Sequence, residues 1–263
     1  MKVKNIIEYI EKRYPNNSQL DFDNSGANIV NFDDEVKGIL VCLDITRDAI
    51  EYASRNSINL IISHHPIIFN EIRNIIDDPI SKRIKLLLKY GINAYSMHTN
   101  FDANLKYGMG ILAQNQLFDK KEIKKEDILE KYKVCDKNYG IGNIIYLNKP
   151  KKLNTIYNLI SKKFNIDIEK MVLYSDKENK DIEKIIIVPG SGSSDVNLVL
   201  NEGADLFITS EIKHNQIIDL LEEGISYINA THYGFEKIFI DCIYRFLKLK
   251  FKLKIVTHFE EKL

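Results

Sequence analysis

The chain reads as an α/β fold, a mostly parallel sheet flanked by helices. Three observations carry that reading. Short apolar runs at 36–43, 59–62 and 92–97 alternate with helical stretches, and such alternation calls for crossover connections and parallel pairing. Two of these runs end in histidine, and the carboxyl edge of an open sheet is where ligands bind. The alternation resumes at 184–188, 204–209 and 225–230.

Composition narrows the class. A chain of 263 residues allows one large domain or two small ones. Its 44% hydrophobic and 28% charged content is that of a globular protein. Lysine plus arginine equals aspartate plus glutamate, 37 each, so no global field draws the chain to nucleic acid or membrane. The three cysteines are far apart with no CxxC pair, which argues against a disulfide framework and thiolate zinc. Met1 to Tyr14 carries Ile6, Ile7 and Ile10 among charges, the pattern of an amphipathic helix rather than a signal peptide. No apolar run approaches membrane-spanning length, and a cytoplasmic protein is expected.

The first helix ends near Pro15, and a polar loop holds Phe22-Asp23-Asn24-Ser25-Gly26. Val36 to Leu43 is a buried strand, and Thr46 caps a helix over Arg47 to Arg55. Asn59 to Ile62 is a strand that stops before Ser63-His64-His65-Pro66. Asp78-Pro79 starts a helix that Gly91 ends. Ile92 to Met97 is a strand ending in His98-Thr99-Asn100-Phe101-Asp102, with a helix from Ala103 to about Asn115.

Phe118 to Lys133, rich in lysine and glutamate, reads as a solvated helix face and as the lobe junction. Then come a strand at Ile141 to Leu147, a helix at Lys151 to Phe164, and strands at Met171 to Tyr174 and Lys184 to Val188. Pro189-Gly190-Ser191-Gly192-Ser193-Ser194 is a tight turn or an anion-holding loop before a helix at Asp195 to Asn201. It is no Walker loop, since no lysine follows the glycines. Ala204 to Thr209 is a strand, followed by a helix at Asn215 to Glu223. Ile225 to Ala230 is another, followed by a long helix to about Lys248 and a last strand at Lys252 to Val256.

Five of the six histidines, His64, His65, His98, His214 and His232, follow predicted strands, and His258 lies in the polar tail. Asp102, Glu211 and Glu236 lie close to them in sequence. His232 and Glu236 are four apart at a helix start, which puts both on one face. Neighbours on a strand point to opposite faces, so His64 and His65 either serve two metals or share one after a sharp turn. Imidazoles with carboxylates suit zinc, iron, manganese or nickel, and the lack of thiolate argues against a structural zinc site. Such a set can serve two metals ~3.5–4 Å apart. Two carboxylates against two divalent ions leave an excess of positive charge, which favours a bridging hydroxide and an anionic substrate. The pattern points to hydrolysis.

IISHHPIIF, MHTNFDAN, ITSEIKHN and ATHYGFEK, in that order, resemble the Nif-three-like dinuclear metal-centre proteins, whose members carry the name GTP cyclohydrolase 1 type 2 homologue. The resemblance covers nearly the whole chain. It implies two α/β lobes with mostly parallel sheets and a dinuclear metal site in the cleft between them. Lobe one is about 1–118 with 229–263 returning to it, and lobe two about 119–228. The implied metal ligands are His64, His65, Asp102, His232 and Glu236, holding two divalent ions. His98 and His214 line the cleft as candidate proton carriers. The loop Phe22 to Gly26 resembles the family's Trp-Asp-Asn-x-Gly-Leu segment, with Phe22 for tryptophan, a packing position, and Ala27 for leucine. The chain resembles the short form of the family, without an inserted domain, and a homohexamer is implied.

The first functional reading is a hydrolase in which metal-bound hydroxide attacks a nucleotide-like substrate, opening the guanine ring of GTP. The second is a dinuclear phosphoesterase. The third is a non-enzymatic protein that binds metal or a partner. A hydrolase needs proton carriers, and His98 and His214 favour it.

Overall fold

The computed structural model describes residues 1–260. Contacts divide them into two units, Met1–Ala103 with the chain from Phe239 onward, and Asn104–Ile238. Helix α1 (Val3–Glu11) buries Val3, Ile6, Ile7 and Ile10, the stripe that their spacing predicts. Strand β1 (Gly26–Ile29) follows the polar loop; its four residues carry no apolar alternation, and pairing alone makes it a strand. Then come β2 (Ile39–Cys42), α2 (Arg47–Arg55), β3 (Leu60–Ser63) and α3 (Pro79–Tyr90). β4 (Asn93–Ser96) and the one-turn helix α4 (Thr99–Asp102) follow. The local signals act as their chemistry dictates. Thr46 Oγ1 accepts from the Ala49 N–H, Asp78 accepts from the Ile80 and Ser81 N–H groups, and Gly91 ends α3 at φ 61°.

The helix expected from Ala103 is interrupted. Asn104 Oδ1 accepts from the backbone N–H groups of Lys106 and Tyr107, a local turn that competes with helix. Helix α5 therefore begins only at Met109 (Met109–Leu117). The lysine- and glutamate-rich run is not a solvated helix. It is β5 (Ile123–Val134), paired antiparallel along its length with β6 (Lys137–Lys152). After it come α6 (Leu153–Phe164), β7 (Val172–Tyr174), β8 (Asp181–Ile187) and α7 (Val196–Glu202). Next are β9 (Leu206–Thr209), α8 (His214–Glu222), β10 (Ser226–Asn229) and α9 (His232–Glu236). The long helix expected here breaks at Lys237, and α10 (Ile238–Lys248) and β11 (Ile255–Thr257) complete the chain. The unit boundaries differ from 118 and 229 for a physical reason. α5 packs on α6 and β6, and Ala230, Phe235 and Ile238 pack into the core of the second sheet, so both stretches belong to the second unit.

The first sheet runs β1-β4-β3-β2-β11, parallel except at β1. The second runs β5-β6-β8-β9-β10-β7 and is mixed, parallel only at β8–β9 and β9–β10. Each sheet has helices packed on it through an apolar core. Ile50, Ile61, Ile84 and Leu87 anchor one core, and Ile145, Ile156, Phe164 and Ile208 anchor another. Register then fixes what emerges at the carboxyl edges. In the first sheet Cys42, Ser63 and Ser96 lie side by side, so Asp44, His64, His65 and His98 all follow one edge. In the second, Ile187 pairs with Ile208 and Thr209 with Asn229, so the Gly190 loop, Glu211 and His232 follow one edge. No helix among the described residues is long and apolar enough to cross a membrane.

Candidate metal centre

In the first unit the chain leaves β3 in a bend rather than continuing as a strand. The His64 and His65 N–H groups both donate to the Leu43 carbonyl, and Ser63 Oγ donates to the His65 carbonyl. The bend cancels the alternation that would have sent the two imidazoles to opposite faces. Their ring centroids lie 5.0 Å apart, and the His98 ring lies 5.2 Å from His64 and 5.6 Å from His65. One ring nitrogen from each of the three can be chosen so that all lie within 4.8 Å of one another. Asp102 Oδ1 stands 3.8 Å from His64 Nε2. Phe239 and Phe101 pack on His64, which is fully buried.

Each of these imidazoles is tied by its Nδ1. His64 Nδ1 donates to the Met97 carbonyl at 2.8 Å, His65 Nδ1 to Asp44 at 2.9 Å, and His98 Nδ1 to Asp23 at 2.8 Å. An imidazole whose Nδ1–H is engaged presents Nε2 as a lone pair, the arrangement typical of metal-bound histidine. Asp23 also accepts from Ser25 Oγ, from the Thr99 N–H and from Thr99 Oγ1. Burial alone would push its carboxyl up, but the bonds from His98, Ser25 and Thr99 outweigh burial and hold it well below the usual range.

The second unit repeats the device. His232 Nδ1 faces Glu211 Oε1 at 3.2 Å, and His232 Nε2 faces Glu236 Oε2 at 3.0 Å. A neutral Nε2 and a carboxylate oxygen at that distance require a proton or a cation to hold them together. Glu236 is 4% exposed, so its charge is expensive without one. Thr231, just before His232, sits at φ 56°, a strained conformation for a β-branched residue. A Cβ on Gly190 would strike Glu236 and approach His232. The glycine-rich loop thus leaves room for that carboxylate, while Thr209 Oγ1 and the Ser210 N–H hold the Gly190 carbonyl. The donor sets of both units therefore fit divalent metal.

The seven predicted residues do not all sit alike. His64, His65, His98 and Asp102 gather in the first unit, and His232 with Glu236 in the second. His214 is exposed on the first residue of α8, and it is not among the partners of the His232–Glu236 pair. Phe22 is not a packing residue, being 62% exposed with its ring 6.4 Å from Phe69. Sequence reasoning did not assign Asp23, Asp44 or Gly190 a role at the metal site.

A model of the Duf34/NIF3 (NGG1p interacting factor 3) family matches residues 1–262. Over 238 residues the chain is 32% identical to the GTP cyclohydrolase 1 type 2 homolog of Clostridium acetobutylicum, covering 90% of this chain and 85% of that one. It is 28% identical over 250 residues to a Helicobacter pylori protein named GTP cyclohydrolase 1 type 2, covering 93% and 92%. Among solved structures, the Staphylococcus aureus hypothetical protein SA1388 shares its fold at a TM-score of 0.85 and 24% identity, over 100% of this chain and 97% of that one. Reduced HcgD from Methanocaldococcus jannaschii matches at a TM-score of 0.82 and 27% identity, over 98% and 97%. With a family model spanning nearly all of its length and relatives similar along most of theirs, this chain belongs to the Duf34/NIF3 family.

Proposed function

We propose that this protein is a dinuclear-metal-dependent hydrolase acting on an anionic, nucleotide-like substrate. His64, His65 and Asp102 of the first unit and His232 and Glu236 of the second hold two divalent ions. The observation that carries this reading is the shared anchoring of four imidazoles through Nδ1, which leaves Nε2 of His64, His65 and His232 for metal and Nε2 of His98 for a proton. The name of the Helicobacter pylori relative makes GTP the first substrate to test. Bound divalent ions supply Lewis acidity and acidify water to a pKa of roughly 7 in favourable sites.

The chain's own residues supply the proton chemistry. His98, fixed through Nδ1 by Asp23, takes a proton at Nε2, and the buried carboxylate stabilises the imidazolium that results. His214, exposed on the first residue of α8, serves as the second proton carrier. The protein is a homo-oligomer in this reading, a hexamer, which light scattering at micromolar concentration tests directly.

The deciding experiment is elemental analysis followed by incubation of the metal-loaded protein with GTP. Formate release supports ring opening, and phosphate release supports a phosphoesterase. His98→Ala should keep the metals and lower turnover by ~10²–10⁴-fold. No release of either product from GTP, from phosphodiesters or from nucleoside monophosphates would sink the hydrolase reading.

A further inference from the structure

A cavity of about 260 Å³ opens beside His65, lined by first-unit residues alone. Asp44, Ile45, Ile67, Ile72 and Arg83 contribute to its wall. Arg83 projects from α3 and is half-buried. Its Nη1 donates to the Ile45 carbonyl at 3.1 Å and its Nε to the Pro79 carbonyl at 3.4 Å. Two backbone carbonyls thus hold the guanidinium, and among the described residues no carboxylate pairs with it. A guanidinium has five N–H donors, so most of its donor capacity is left for something else. Asp44 is engaged by His65 at 2.9 Å. Glu71, the other carboxylate on the wall, is exposed and screened by solvent.

A fixed guanidinium in a hollow walled partly by isoleucines is a receptor for an oxyanion, because its planar fork matches phosphoryl and carboxyl oxygens. Size narrows the occupant. Cavities that enclose whole drug-sized ligands run to roughly 300–1,000 Å³, so this one takes one end of a ligand. We propose that Arg83 is the anion-recognising residue of the substrate site, receiving a phosphoryl group in the cavity beside His65. The proposal rests on the hydrolase reading only for the choice of GTP as probe. The isoleucine wall then faces the carbon skeleton next to that group. Arg83 touches substrate and not metal, so its loss changes affinity and leaves the metal content intact.

The test is calorimetric titration of protein of measured metal content with GTP, guanosine and inorganic phosphate. Wild type should bind GTP at least tenfold more tightly than guanosine, but metals alone would also favour GTP, so the variants decide. Arg83→Gln should weaken GTP and phosphate by about 10- to 100-fold, the worth of a charge-assisted hydrogen bond. Guanosine affinity and metal content should be unchanged, and Arg83→Lys should recover part of the loss. Ile72→Phe narrows the cavity without touching the charge and should weaken GTP as well, which decides the matter if Arg83→Gln does not fold. The proposal is overturned if wild type binds none of the three probes, if Arg83→Gln keeps full GTP affinity, or if Ile72→Phe leaves it unchanged. GTP bound through Arg83 but never hydrolysed would defeat the hydrolase reading alone.

Discussion

Asp23 lies 75 residues from His98 in the chain yet fixes its tautomer. Nothing in the spacing of the sequence announces such a partner, because a buried orienting carboxylate belongs to no periodic pattern. The same holds for Asp44, 21 residues before His65. The histidines themselves were legible because strand ends are legible, and a run of β-branched residues stopped by His-His-Pro marks a sheet edge. Replacing Asp23 by asparagine removes the charge that favours the His98 imidazolium while keeping the shape. Turnover of the metal-loaded protein should fall about 10–100-fold, as for other partners behind metal-site histidines. A steady-state rate equal to wild type at unchanged metal content would remove Asp23 from the mechanism. Asp195 offers a test by pH instead. Burial first, then the nearby Glu130 charge, pushes its carboxyl up from 3.8 to about 6, against the pull of the Ser194 hydroxyl. Because the folded value is the higher one, the folded state holds its proton longer, and stability falls as pH rises from about 4 to 6. The ionised carboxylate then costs the folded state about 3 kcal/mol. Asp195→Asn should therefore stabilise the protein above pH 6 by up to that amount and have little effect near pH 4. Urea unfolding at the two pH values measures the difference.

At the scale of elements, the helices and central strands follow their local signals, and the misread segments are those decided by pairing. Ile123–Val134 is dense in lysine and glutamate, good helix formers. Its strand conformation comes from β6, whose buried Asn143 to Ile145 supplies a partner edge that the isolated sequence of β5 does not reveal. β1 was hidden for the same reason, since Gly26 and Ala27 become strand only against Ser96 and Tyr95. The β5–β6 connection is a two-residue turn in which Cys135 and Asp136 have φ of 45° and 61°. Turns of this hand favour Asn-Gly, because glycine and asparagine tolerate positive φ. Cys135→Asn combined with Asp136→Gly should stabilise the hairpin by about 1 kcal/mol, the order of the left-handed penalty for an ordinary residue. An unchanged midpoint in thermal unfolding would mean that the present pair is already relaxed.

At the scale of the whole molecule, the proposed ligands are divided between two units with separate cores. His64, His65 and Asp102 come from one, His232 and Glu236 from the other. If all five serve the same two ions, the free energy of metal binding is shared by both units, and neither can unfold without releasing metal. A ligand that binds only the folded state stabilises it by about 2.7 kcal/mol when present at a hundred times its dissociation constant. For a chain of this length that corresponds to a rise in melting midpoint of roughly 5–10 °C. Removing metal with a chelator should lower the midpoint by that much, and restoring zinc, iron, manganese or nickel should recover it. The native protein, loaded without oxygen, should carry two metals per chain, and Asp102→Ala or Glu236→Ala should each lose at least one. The pair of variants locates the coupling, because each alters only one unit. If Glu236→Ala lowered metal content while the chelator-sensitive midpoint stayed that of wild type, the second unit would be holding its ion independently. A content that never exceeded one metal per chain would leave the first-unit cluster of three histidines as a mononuclear site.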